Sequence, residues 1–323
     1  MSDQWVRQPL FLHFGLKIAT CGIAMKTLRY HLALIVSNIL FGVSFSIYVS
    51  LLHGVMQPSQ LFVMQLLFSF FLFTPAATAR PNFFKLSLND FGSIFIIALL
   101  VVFGWWYMLM TGAAHTNPID ASTISTIGPI FTLLTSIIAY PRKVERGEIA
   151  GIIIALSGVM ALLIDRGRML VGEGGEGYGN AIILCAVVAI AANTVLITPV
   201  LRRHGVIVVM GWYYLIGVIL ALPMIIEELP TISALYLSHS SLFEIGYILI
   251  LGSTLPLYLL YAGAEHLSAT YTAVYRYIQP IIATILAISR GQAIIDRTNI
   301  VGAVLIFVGM LCVALSTTRT TRE

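Results

Sequence analysis

Charge is what this chain has least of. Asp, Glu, Lys and Arg make up 10 % of its 323 residues and hydrophobic residues 59 %, whereas a soluble domain is about 25 % charged and about 45–50 % apolar. Too few polar side chains are left to cover a globular surface, so a soluble fold is excluded and a polytopic membrane protein is indicated. Cysteine is scarce as well. Cys21, Cys185 and Cys312 are scattered, and neither a disulfide framework nor a metal spacing follows from them. The histidines, His13, His31, His53, His115, His204, His239 and His266, form no HxxxH or HExxH pair. No GxxxxGK[ST] phosphate loop occurs either, so no metal, cofactor or nucleotide is expected. The net charge of +4 does not imply nucleic-acid binding, because Lys and Arg gather in short loops, where they set membrane orientation.

About 20 apolar residues cross a ~30 Å hydrocarbon core. Ten such stretches are present, near 31–52, 59–79, 91–111, 119–140, 147–165, 179–200, 206–226, 243–263, 269–289 and 298–316. The segment 166–178, with Gly172, Gly174, Gly175 and Gly177, is the longest interior polar stretch and divides the spans into two sets of five. The expected organisation is a cytoplasmic segment 1–30, a first repeat 31–165, the glycine-rich connector 166–178, a second repeat 179–317 and a tail 318–323. Residues 1–24, broken by His13 and Lys17, read as an upstream extension of little functional weight. With the N-terminus inside, thirteen Lys and Arg fall on the inner side and Arg166, Arg168, Arg290 and Arg297 on the outer. Both termini are therefore expected in the cytoplasm.

The two sets of five are related. A gapless shift of 151 residues places Tyr107 on Tyr258, Gly112 on Gly263, His115 on His266, Pro129 on Pro280, Arg146 on Arg297, Gly151 on Gly302 and Gly158 on Gly309. Matches of Gly, Pro, His, Tyr and Arg are the informative ones in so apolar a chain, and they indicate an internal duplication. Because five is odd, the second copy enters the membrane from the opposite side. The fold class expected is thus an all-α membrane protein of ten transmembrane helices in two inverted five-helix repeats. Such repeats suit alternating access around a midplane site.

Ten spans as five plus five, a proline midway along spans four and nine, and glycines in spans five and ten resemble the drug/metabolite transporter superfamily, EamA-type. The resemblance covers about 31–317 and is strongest over 105–165 and 256–316. The chain departs from that pattern in places. Pro141-Arg142-Lys143 and Gly291-Gln292 stand where relatives often carry Gly-Glu, and Phe41-Gly42 replaces a common Trp-Gly. Gln65 stands in place of a frequent arginine, and Gln279 in place of an acid. The last change removes a carboxylate that some relatives could use for proton coupling. The resemblance implies that spans one, three, four, six, eight and nine surround a central cavity.

The sequence puts polar groups in those same spans. Arg276 lies inside span nine, where a charge costs roughly 2.5 to 3.5 kcal/mol on insertion scales and normally faces protein or water. It either lines the cavity and meets substrate, or is buried and satisfied by backbone carbonyls. Thr272, Arg276 and Gln279 share one helical face, and Tyr271, Tyr275 and Gln279 form an adjoining stripe. Tyr107 and Tyr258, being repeat-related, are further candidates, as are Asn38, Asn193 and Ser125. Asn38 and Asn193 can equally join helices, and Ser125 can bond its own backbone. Of Trp105 and Trp106, one at most is expected to face the cavity. Pro129 and Pro280 are hinge candidates. Asp120, a capping residue by position, and His115 are the candidates for proton coupling.

The expected function is a secondary transporter, exporting small polar or amphipathic metabolites such as amino acids or related carboxylates. Its setting is a lipid bilayer, the bacterial inner membrane. A non-transporting membrane enzyme or receptor is the alternative. It lacks support, since the spans hold no paired carboxylates or nucleophile–base arrangement and no large extramembrane domain exists.

Overall fold

A computed structural model of the chain describes residues 10–125, 127–139, 145–165, 176–233, 238–267, 275–276, 278–292 and 297–320. Every regular element among these is helical. That follows from the solvent: with no water to bond exposed amides, a chain crossing lipid must satisfy its backbone internally. In chain order the helices are α1 (Leu10–Leu52), α2 (Pro58–Thr78), α3 (Leu88–Ala113), α4 (Pro118–Ser125), α5 (Gly128–Ala139), α6 (Arg146–Asp165), α7 (Glu176–His204), α8 (Val206–Leu220), α9 (Leu222–Ser233), α10 (His239–His266), α11 (Ile278–Ser289) and α12 (Arg297–Thr320). Helix α1 runs without a break from Leu10 into the first expected span.

Six segments are long and apolar enough to cross a membrane, or seven if α8 and α9, bent by 79° at Ala221, count as one span. The fifth and tenth expected spans are the helices α6 and α12. The ninth is represented by the 12-residue helix α11, because residues 268–274 lie outside the described residues. The fourth expected span, counted among those six as one segment of Pro118–Ala139, contains a turn at Ile127 between α4 and α5, with hydrogen bonds from Ile127 N to Ile124 O and from Ile130 N to Ile127 O. The ninth span is interrupted at the equivalent place, where Gln279 N bonds to Arg276 O just ahead of Pro280. Pro129 and Pro280 therefore each lie in the first turn of a new half-helix, where a missing N–H costs nothing, rather than bending a continuous one.

Two features obey the 151-residue shift. Helix α3 widens to π-helix over Leu99–Tyr107 and α10 over Ile248–Thr254, so that residues 99–103 fall on 250–254. Glycines at the α6–α12 contact behave likewise. A Cβ on Gly158 would lie 2.7 Å from Gly302 O, and one on Gly309 would lie 2.5 Å from Gly151 O. Exchanging the halves turns the first contact into the second, as a two-fold relation requires. Small residues at this seam let the two backbones touch, which is how helices associate where lipid removes the hydrophobic drive.

Candidate functional site

The breaks in the fourth and ninth spans face each other. Arg276, at the second break, is only 7 % exposed. Its guanidinium lies against Gly128, the first residue of α5, where a Cβ would meet Nη1 at 3.0 Å. Glycine is what leaves room for this approach. Among the described residues the guanidinium makes no hydrogen bond and no ion pair. No backbone carbonyl among the described residues bonds to it. Tyr261 of α10 lies within electrostatic reach, and Val187 of α7 would meet the same Cβ on Gly128 at 3.7 Å. At the start of α5, Pro129 has no N–H and the Ile130 and Phe131 amides both donate to Ile127 O. The buried guanidinium is therefore the group there that an anion would pair with.

Further buried polar groups come from five helices. Gln279 donates from Nε2 to Asn38 Oδ1 at 2.7 Å, and Asn38 Nδ2 donates to Leu34 O at 2.7 Å. The ninth-span glutamine is thus tied to the first span. Close packing allows this, since a Cβ on Gly42 would be 2.9 Å from Gln279 O. Asn193 Nδ2 donates to Tyr261 Oη at 3.0 Å, while its Oδ1 is buried with no partner among the described residues. Trp106 Nε1 is in the same condition, its ring tilted against Phe41 at 6.2 Å. Both tryptophans of α3 are buried, Trp105 as well as Trp106.

Other expected residues lie elsewhere or act on the backbone. Ser125 donates to Ala121 O at 2.8 Å and Thr132 to Gly128 O at 2.9 Å, the local pattern usual for hydroxyls in membrane helices. Tyr107 packs its edge on Phe62 at 5.3 Å, whereas Tyr258 stacks near Phe73 at 6.1 Å and lines a cavity on the opposite face. The repeat relates these two tyrosines without bringing them together. Tyr275 accepts or donates a 2.9 Å hydrogen bond with His31 Nδ1. Tyr271 and Thr272 lie outside the described residues. Asp120 is fully buried, but the helix cap is Asn117, whose Oδ1 accepts from Asp120 N at 2.9 Å. The Asp120 carboxylate accepts from Asn180 Nδ2 at 3.1 Å, and Thr116 donates to Asn180 Oδ1. His115 sets its ring against Tyr178 at 5.5 Å and lines a cavity of about 330 Å3 with His53, Asn117 and Gln292.

Two clusters were not anticipated from sequence. On the face bearing His53 and His115, Arg290 Nη1 pairs with Glu244 Oε1 at 2.8 Å and Ser50 donates to Glu244 Oε2 at 3.0 Å. Gln292 Nε2 donates to Ser46 O at 2.9 Å, so the end of α1 is clasped to α10 and to the residues after α11. On the other face Asp90 pairs with Arg203 at 2.6 Å and His204 at 2.9 Å, holding α3 to α7. Nothing in the sequence pairs these groups, and only the fold shows which acid meets which base.

Comparison with known proteins fits this architecture. The chain matches the EamA-like transporter family over residues 28–164 and again over 177–315, one match per repeat. It belongs to that family and is an integral membrane transporter, not an enzyme. An uncharacterized transporter of Clostridium kluyveri is 25 % identical over 266 residues, covering 80 % of this chain and 84 % of the relative. The uncharacterized transporter YetK of Bacillus subtilis is 22 % identical over 216 residues; the match spans 66 % of this chain and 62 % of YetK. A crystal structure superimposes with a TM-score of 0.61 at 17 % identity, covering 90 % of this chain and 98 % of that one. At that identity the likeness bears on the fold alone.

Proposed function

We propose that the chain is a secondary transporter for small organic anions, amino acids or related carboxylates, held by Arg276 at the midplane between two inverted repeats of five spans each. The observation that carries this reading is the buried, unpartnered guanidinium against the first residue of a half-helix. A desolvated cation with no partner among the described residues is unfavourable, and an anion bound during the working cycle would offset that cost. A carboxylate matches the planar fork of the guanidinium bidentately. The Asn193 carbonyl oxygen and the Trp106 indole N–H, both without partners among the described residues, would fix the rest of the molecule.

Broken helices that place half-helix ends at the midplane are how secondary transporters build such sites. The exchange-symmetric glycine contacts of α6 and α12 support two halves able to swap roles in alternating access. Net movement in this reading is outward across a bacterial inner membrane, with both termini on the cytoplasmic side.

The test is binding and transport together. Carboxylate compounds are screened by thermal shift on detergent-purified wild type, Arg276→Lys and Arg276→Ala, since a ligand specific to the folded state raises apparent stability by mass action. Hits are then followed by counterflow in proteoliposomes. A shift in wild type, reduced by Lys and lost with Ala, is the expected outcome. Equal shifts in wild type and Arg276→Ala would remove Arg276 from the site.

A further inference from the structure

A second positively charged site lies on the face bearing Arg80 and Arg203. A cavity of about 660 Å3 opens there, walled by α1, the α2–α3 and α7–α8 turns, and the end of α10. Arg29 and Arg80 both line it, although 51 residues separate them in sequence. Among the described residues neither guanidinium forms an ion pair. The nearby Arg203 and His204 are different, because Asp90 takes both. Glu265 is the one carboxylate in the lining and bonds to neither arginine. The cavity therefore carries a net positive charge that the chain does not compensate.

The wall is shaped as well as charged. Tyr30 stacks on His266 with ring centroids 4.0 Å apart and planes within 10°. Arg29 covers the same tyrosine, its Cζ 4.6 Å from the ring centre. A guanidinium, a phenol and an imidazole thus hold one another in place at the mouth. Tyr258 lines the cavity from α10, one helical turn before Tyr261, the residue within reach of Arg276. The cavity and the midplane site lie along one helix.

We infer that this cavity is a second anion-binding site, a vestibule in which Arg29 and Arg80 hold a phosphate, sulfonate or carboxylate group apart from the Arg276 site. Its service as an antechamber for the transported anion rests on the function proposed above; its affinity for anions does not. The volume is within the range of small-molecule sites and exceeds what one amino acid fills. A mouth with a net positive charge raises the local concentration of anions and their association rate. The anionic group could come from a soluble metabolite or from a phospholipid headgroup, since both present the same oxygens to an arginine pair.

The probe is pyranine, a fluorescent trianion, bound to the full-length protein in maltoside detergent and read by anisotropy. Wild type and Arg276→Gln are expected to bind alike, and added NaCl to weaken both. Arg29→Gln/Arg80→Gln is expected to weaken binding roughly tenfold or more. Both arginines are exposed, so the double variant should keep the thermal stability of wild type. Competition by inorganic phosphate in detergent assigns a soluble anion. Loss of dye binding in nanodiscs of phosphatidylglycerol, but not phosphatidylcholine, assigns the headgroup. Absence of binding to wild type, or equal binding by wild type and the double variant, overturns the site. Loss through Arg276→Gln alone would place the dye at the midplane and overturn it equally. Because Arg276 variants test the transport reading and the double variant tests the vestibule, either can fail without the other.

Discussion

Arg276 depends on what is missing opposite it. Gly128 supplies no Cβ, and the guanidinium occupies the space a methyl group would need, at 3.0 Å. Gly128→Ala should therefore push the far end of a flexible side chain by a few tenths of an ångström without breaking the packing. We expect thermal stability to change little and ligand affinity to fall roughly tenfold, because a bidentate pair tolerates little misplacement. Parallel thermal-shift titrations of variant and wild type measure both. The sequence showed Arg276 plainly, since one charge in an apolar run cannot be overlooked. It also offered Gln279 and Asn38, though as separate polar groups, and their 2.7 Å bond belongs to tertiary structure. The role of Gly128 was hidden. In a chain with 26 glycines, nothing in the sequence marks the one on which an arginine rests.

At the scale of helices, the seam between α6 and α12 sets backbone atoms where side chains would stand. Gly158→Ala and Gly309→Ala each force a Cβ to within 2.7 and 2.5 Å of a glycine oxygen. Overpacking of this kind costs roughly 1–3 kcal/mol. The two positions exchange under the internal repeat, so the losses should be similar, as detergent-solution melting of the two variants would show. A clear stabilisation by either would contradict the close approach. These glycines were legible as repeat-matched pairs, because periodicity survives in residues that cannot be replaced cheaply. The division of the fourth span was not. Pro129 suggested a bend, but whether a proline bends a helix or begins one depends on the preceding turn, and that turn is fixed by what packs against it.

At the scale of the whole molecule, the two faces differ. One holds the cavity of about 660 Å3, and the other is drawn together by Glu244, Arg290, Ser50, Ser46 and Gln292. The second face keeps a smaller cavity of about 330 Å3 beside His53 and His115. Glu244→Gln keeps the shape and removes the charge, so it should favour opening of the clasped face. The gain is small, since a partly exposed ion pair contributes about 0–1 kcal/mol. Labelling of a cysteine introduced at Ser46 should quicken by roughly threefold in that background. An unchanged rate would mean that the ion pair does not hold the face shut. The membrane class was legible in composition alone, because lipid imposes an apolar surface on the sequence directly. The pairing of Glu244 with Arg290 was not, since loop charges find partners only after the helices have been placed.

The widened turns in α3 and α10 carry a consequence of a different kind. A π-helical stretch holds one more residue than α-helical geometry would place over the same rise. Removing a single residue from 99–103 should let α3 relax to ordinary winding while everything beyond it keeps its place, because the widened turn is what absorbs the extra residue. Trp106 would stay buried against Phe41, and the same deletion in α10 would leave Tyr258 and Tyr261 where they are. A deletion in an ordinary turn of either helix would instead rotate all that follows by about 100° about its axis. These two short stretches are therefore where the chain can lose a residue without resetting the binding site, a latitude that point substitution cannot reveal.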